Sequence, residues 1–313
     1  SHGLDTSSWP LHVRASRKTL NYAALEVMAE QCCTRVRDIH RENRKWLREE
    51  TYSFLTDLPR EQRFRHDYSC SFKLAFIELL VNCGLIRELR DDEEAMAGCK
   101  TFAIDEVSRE RKRCLGWARV LNESLPPGFL CDLGMPLTED VCDLVTGNEF
   151  QIQYDADKAF YQCHLPEFFQ RMLCFRANAN SKMYCWTKLV MGAAPSTHFF
   201  AAQIMCVADV ESDRNVSAEL QAAVKGVTVS VFADNVYYGG TREQVTAARD
   251  IFIERCLRVD MTVNDPQIPE PVQRGDYLGV HLLNDVGKVQ TSSKIVQKIK
   301  SSWERRSSWT TRN

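Results

Sequence analysis

The 313-residue chain has no Cys-x-x-Cys pair among its 13 cysteines, and Cys32-Cys33 is their sole adjacency. That spacing excludes the paired-thiol pattern of a structural zinc site, and an odd, scattered set gives no disulfide framework. Cys83, Cys163 and Cys206 lie among apolar neighbours. They read as small core residues of a protein kept in reducing, intracellular surroundings, cytoplasmic or nuclear. No apolar run approaches the length of a membrane span, so no membrane partner is expected. No secretory pattern is visible in the opening residues, and Ser1-His2 reads as a cloning remnant. Excess charge is missing too: the formal net charge is -2, so the total does not mark a nucleic-acid binder. Neither internal repeats nor low-complexity segments occur.

What is present is an ordinary folding composition, 44% hydrophobic and 26% charged, which suffices for a full core. The charge is unevenly laid out. Basic runs occur at Arg35 to Arg48, at Arg109, Arg111, Lys112, Arg113 and Arg119, and at Lys294 to Arg312, while acids gather at Asp91 to Glu94. Local stripes of this kind neutralise phosphates even when the total is near zero.

Hydrophobic periodicity predicts helices over 20–55, 71–90 (stopping at Gly84), 138–146, 197–210, 241–257 and 292–306. Strands are expected at 101–106, 114–119, 150–155, 183–189 and 277–283. Residues 228–238 read as a hairpin with Asp234-Asn235 at its tip, because Asp and Asn tolerate the positive φ of tight turns. The order suits an α+β sandwich with helices on one face of an antiparallel sheet.

Two acids stand at special places in this pattern. Asp155 ends an alternating strand and Asp234 sits at a hairpin tip. If strand and hairpin are neighbours, both carboxylates project from one sheet edge. Mg²⁺ takes only one or two protein carboxylates and leaves its other positions to phosphates and water. Two such ions stabilise the attacking and leaving oxygens of an in-line displacement, and phosphoryl transfer needs positioning and charge neutralisation above all.

From about residue 101 to 300 the chain resembles a reverse transcriptase in five blocks, in order. Tyr154-Asp155-Ala156-Asp157-Lys158-Ala159-Phe160 resembles the first catalytic block. Arg113-Cys-Leu-Gly-Trp-Ala-Arg119-Val-Leu-Asn122 resembles the fingers hairpin. Leu189-Val-Met191-Gly192-Ala-Ala-Pro195-Ser196 resembles the block under the nascent base pair. Phe232-Ala233-Asp234-Asn235 resembles the aromatic-x-Asp-Asp hairpin, and Arg274-Gly275-Asp276-Tyr277-Leu278-Gly279 the primer grip. Within the family, the chain is most similar to the tyrosine-recombinase retrotransposons of the DIRS, Ngaro and VIPER type, partly on its Trp303-to-Arg312 ending.

The resemblance implies a right-hand polymerase: an N-terminal helical extension (1–100), fingers (101–150), a palm (151–287, with a fingers segment near 164–190) and the start of a thumb or connection (288–313). It implies an RNA-directed DNA polymerase using two Mg²⁺ or Mn²⁺ ions, an RNA template, a DNA primer and dNTPs, within a longer polyprotein carrying RNase H and recombinase regions. By the same resemblance Asp155, Asp234 and Asn235 are catalytic, and Asp155, the Ala156 carbonyl and Asp234 hold the metals. Arg113, Lys112, Arg119, Ala156, Phe160, Met191 and Gly192 bind the nucleotide, with Phe160 crowding a ribose 2′-hydroxyl. Arginine suits the triphosphate because its planar fork binds two oxygens at once. Tyr277, Leu278 and Gly279 contact the primer.

Three departures stand out. Asn235 occupies the place of the family's second Asp, and it keeps a carbonyl oxygen but loses the charge. Met191 replaces a frequent Gln, and Asp265-Pro266 follows Asn264 where a lysine is common. Asn235 and the altered Met191 block motivate a second reading, a catalytically inactive palm domesticated as an RNA-binding or assembly scaffold. An RNA-templated RNA polymerase is disfavoured by Phe160, and a cyclase-like palm enzyme leaves Leu278-Gly279 unexplained.

Overall fold

The computed structural model describes residues 7–8, 11–12, 18–264 and 270–310, with the side chains of 11–12, 108 and 302–310 left aside. Ser1-His2, Asp265-Pro266 and the closing Thr311-Arg312-Asn313 lie outside the described residues, as do the side chains of the Trp303 stretch. The protein is a mixed α+β fold built on four small sheets, mostly antiparallel.

The sheet that matters most has Asn235–Gly240 in the middle, flanked by Phe150–Asp155 and Thr228–Phe232, both antiparallel to it. Val236 to Gly240 are all buried, because both faces of this strand are covered. On one face Tyr238 and Tyr154 pack on Phe252 of the helix Arg242–Arg258, and the Tyr238 hydroxyl donates to the Ala208 carbonyl of the helix Ala194–Ala208. On the other face Tyr237 packs on Tyr277, Leu144 and Val141. Helices on a single face were expected. Here the second face is also covered, by the short helix Thr138–Asp143 and the hairpin Arg274–Leu283.

The two long helices form for legible reasons. Ala194–Ala208 carries Pro195 in its first turn, where the missing N–H costs nothing. It buries residues all round, as a central helix must. Arg242–Arg258 opens on a reciprocal cap: the Thr241 hydroxyl accepts from the Gln244 N–H, and Gln244 Oε1 accepts from the Thr241 N–H.

A second antiparallel pair, Lys100–Glu106 and Arg111–Trp117, forms a hairpin that reverses through a 3₁₀ turn and Glu110 at φ 47°. It docks on the loop before the central helix: the Gly116 N–H donates to the Met191 carbonyl, and Asn122 bonds Gly192 and Ala194. A four-stranded sheet joins Ser69–Cys70, Cys174–Ala177, Met183–Trp186 and Ile86–Glu88 in that order. The residues before 100 are therefore woven into the same sheet and the same hydrophobic core as the rest, through Leu25, Trp46, Tyr52 and Leu80.

Several expected boundaries shift. The first helical stretch breaks into Tyr22–Gln31, Thr34–Asn43 and short turns, and the second runs only Leu74–Asn82 before Gly84 at φ 68° stops it. The strand expected at 114–119 runs Arg111–Trp117 and gives way to a helix, Arg119–Ser124. The single strand expected at 277–283 is a hairpin that turns at Leu278-Gly279, both at positive φ. Among the described residues no helix is long and apolar enough to cross a membrane.

Candidate active site

Asp155 is the last residue of its strand and lies directly opposite Asn235 in the ladder. The hairpin turn consists of Ala233 and Asp234, since Phe232 already pairs with Asn235. The expected Asp234-Asn235 tip is thus displaced by one residue. The positive φ that a two-residue hairpin turn demands falls on Ala233, at 54°, and not on Asp or Asn. Asp234 is held by backbone and side chain together. Its carbonyl accepts from the Ala156 N–H at 2.9 Å and its Oδ1 from Asn235 Nδ2 at 3.1 Å.

Asp155 is oriented from a third direction. The Asn264 N–H donates to the Asp155 carbonyl at 2.6 Å, and Asn264 Nδ2 to Asp155 Oδ2 at 3.3 Å. Burial, and then repulsion from Asp234, push the Asp155 carboxyl up to about 6, against the lowering effect of Asn264 and Arg109. The two acids therefore form a compact negative pole with too few protons or cations to satisfy it.

A cleft of about 730 Å³ opens over this pole. Its walls include Ala156, Phe160, Met191, Phe200 and Asn235, and Arg109, Arg111 and Arg113 line the same cleft as the two acids. The Phe160 ring meets Phe200 edge to face at 6.3 Å, which fixes its plane in the cleft wall. Arg113 Nη1 lies 3.5 Å from Met191 Sδ.

Of the residues expected at the nucleotide site, Arg113, Ala156, Phe160 and Met191 line the cleft. Lys112, Arg119 and Gly192 do not. Lys112 lies on the opposite face of its strand from Arg111 and Arg113, because successive side chains alternate, and it pairs with Asp105 at 3.1 Å. Arg119 starts the following helix, where it pairs with Glu123 at 2.6 Å and covers Trp117. Gly192, at φ 120°, is needed for a different close approach: a Cβ there would sit 2.6 Å from the Gly116 carbonyl oxygen. Its tight neighbour is the arginine strand.

Tyr277, Leu278 and Gly279 form the end of a hairpin beside the central sheet, outside the cleft wall. The buried Tyr277 hydroxyl reaches Ser230 of the hairpin that carries Asp234 at 3.2 Å. Gly279 has a φ of 87°, which favours glycine, and a Cβ there would meet the end of the Ile295 side chain.

The sequence marks Arg109 and Arg111 only as members of a basic run. Arg111 and Arg113, two apart on a strand, share a face by period-two geometry, which was a usable signal. Asn264 and Glu106 carried no such signal, since their roles depend on chain segments brought together by folding.

Among the described residues no cluster of three or more His, Cys, Asp or Glu side chains forms a metal cage. The oxygen-only set of Asp155 and Asp234, with the amide of Asn235 beside them, fits a hard divalent ion that keeps most of its positions for phosphate and water. Their mutual repulsion is what such an ion relieves. No protein-family model matches this chain, and no curated protein matches it.

Proposed function

We propose that this protein is the palm-and-fingers core of an RNA-directed DNA polymerase. The observation that carries the reading is the meeting, in one cleft, of a two-carboxylate pole at a strand end and hairpin turn and an arginine trio on a separate hairpin. Carboxylates for metal ions and guanidiniums for phosphate oxygens in one cleft are the groups a nucleoside triphosphate requires.

In this reading the Arg109, Arg111 and Arg113 guanidiniums bind and orient the triphosphate. Asp155 and Asp234 hold two Mg²⁺ or Mn²⁺ ions, with the Ala156 carbonyl as a further oxygen. Those ions supply charge stabilisation to the attacking and leaving oxygens when bound. Asn235 and Asn264 fix the rotamers of the two carboxylates. The Phe160 ring, held by Phe200, narrows the cleft where a ribose 2′-hydroxyl would lie and so selects dNTPs. The Tyr277–Gly279 hairpin, tied to Ser230, supports the primer end. Template RNA, primer DNA and a retrotransposon polyprotein with RNase H and recombinase regions belong to the same proposal.

The test is primer extension on poly(rA)·oligo(dT) with dTTP and either Mg²⁺ or Mn²⁺, with Asp155→Ala and Asp234→Ala in parallel. The expected result is extension by the parent and a loss of about 10⁴-fold in each variant, roughly 5.5 kcal/mol of transition-state stabilisation. The uncharged Asn235 favours a second reading, an inactive RNA-binding palm. Primer-template binding without extension by the parent, unchanged in Asp155→Ala, selects that reading instead.

A further inference from the structure

Glu106 is the carboxylate at the centre of the arginine trio. It ends the strand Lys100–Glu106 directly opposite Arg111, and the reversal through Val107–Arg109 and Glu110 returns Arg109 to its side. Arg113 lies two residues beyond Arg111 on the same face. Glu106 Oε2 accepts from Arg111 Nε. Its Oε1 accepts from Arg113 Nη2 at 2.8 Å and lies 3.7 Å from Arg109 Nε. Three cations against one anion leave a local charge of +2.

Three guanidiniums at one point repel each other. A single carboxylate shared among them offsets part of that repulsion and takes only one donor from each of its two hydrogen-bonded partners. Arg113 Nη1 is turned to Met191 Sδ, and the remaining N–H groups, which lie in planar forks, are left to phosphate oxygens. The carboxylate stays charged, because the Arg111 hydrogen bond outweighs burial and holds it below its ordinary range. Its side chain is 19% exposed, so the bracket sits at the base of the cluster and the more exposed ends of Arg109 and Arg113 reach the solvent.

We propose that Glu106 is a positioning residue: it brackets Arg109, Arg111 and Arg113 into one preorganised grip for the polyphosphate of the incoming nucleotide. The nucleotide as ligand rests on the polymerase reading; the polyphosphate chemistry rests on the cluster alone.

The test is calorimetric titration of the whole protein with inorganic tripolyphosphate, free of divalent metal and at low salt, for the parent, Glu106→Gln, Glu106→Asp and Asp105→Asn. The parent is expected to bind, Glu106→Gln to bind about tenfold more weakly, and Glu106→Asp to recover part of the loss. Asp105→Asn, which changes a neighbouring carboxylate paired with Lys112 away from the cleft, should match the parent. In primer extension, Glu106→Gln should raise the dTTP KM about tenfold and leave kcat within about twofold. Equal or tighter tripolyphosphate binding by Glu106→Gln overturns the proposal, because Glu106 would then be idle or a competitor for the arginines. A parent that fails to bind overturns it as well. If no variant extends a primer but tripolyphosphate separates the parent from Glu106→Gln, the polymerase reading fails and the bracket stands. If extension proceeds with equal KM in both, the bracket fails and the polymerase reading stands.

Discussion

Asp213 and Asp155 are both buried or half-buried carboxylates, and they shift in opposite directions. Asp213 is fully buried, and burial alone would raise its carboxyl. Arg258, the Asn215 N–H and Arg255 overcome that and hold it below the ordinary range. Arg255 Nη1 donates to it at 2.9 Å, and the remaining Arg255 donors go to the Val207 and Cys206 carbonyls at 3.0 and 2.6 Å. Every charge in that network is answered, and the network ties Ala194–Ala208 to Arg242–Arg258. Asp155 receives one amide hydrogen bond at 3.3 Å and faces a second acid. Two carboxylates of the same fold can thus serve opposite ends. The satisfied one braces the scaffold, and the under-neutralised one is left ready for a cation.

The largest expected way to break this comparison is Arg255→Leu. Removing one partner leaves Asp213 buried with only one of its two counter-charges, and stability should fall by about 3–5 kcal/mol in denaturant unfolding. A loss within 1 kcal/mol would mean that Arg258 alone supports Asp213.

Asp155→Asn should act in the opposite sense. An acid whose folded value is raised from 3.8 to about 6 favours the folded state fully at pH below the unfolded value, and that contribution is lost as pH rises through about 6. At pH 8 the variant should be more stable than the parent by about 1–2 kcal/mol, after discounting for partial solvent screening. Near pH 3 the gain should vanish. Denaturant midpoints measured across that range check both the size and the sign.

Asn235→Asp adds a third acid to the unanswered pole. The Mg²⁺ concentration that half-saturates extension should fall about tenfold, roughly 1.4 kcal/mol of binding. Metal-free stability should fall at the same time. An unchanged Mg²⁺ requirement would show that Asn235 only orients Asp234.

The smallest expected effect is at Ala233. A left-handed φ costs an alanine about 1 kcal/mol, and glycine recovers that at some cost in unfolded-chain entropy. Ala233→Gly should therefore stabilise the protein by about 0.5 kcal/mol. Destabilisation would mean that the methyl group packs in the turn more usefully than the strain costs.

Much of the scaffold around the site was legible. The alternation of Phe150–Asp155, the hairpin expected over 228–238 and the helix expected over 241–257 all appear close to where local pattern placed them. The turn shifted by one residue, because turn preference favours Asp and Asn while strand register decided that Ala233 takes the bend. Arg113, expected by resemblance, lines the cleft, while Lys112 and Arg119 pair with Asp105 and Glu123 and do not. A basic run names charges but not faces, and the strand gives way to helix at Arg119.

By itself, then, the sequence determined the α+β composition, the strand that ends in Asp155, the hairpin that carries Asp234 and the Thr241–Gln244 cap of the helix Arg242–Arg258. Those depend on φ/ψ preferences and face periodicity over a few residues. Only the tertiary structure decided which charges are answered. Asn264 reaches Asp155 across 109 residues, Arg255 reaches Asp213 across 42, and Glu106 gathers arginines that the run alone left undirected. The electrostatics of a carboxylate depend on burial and on neighbours within a few ångströms, and folding supplies both from distant parts of the chain.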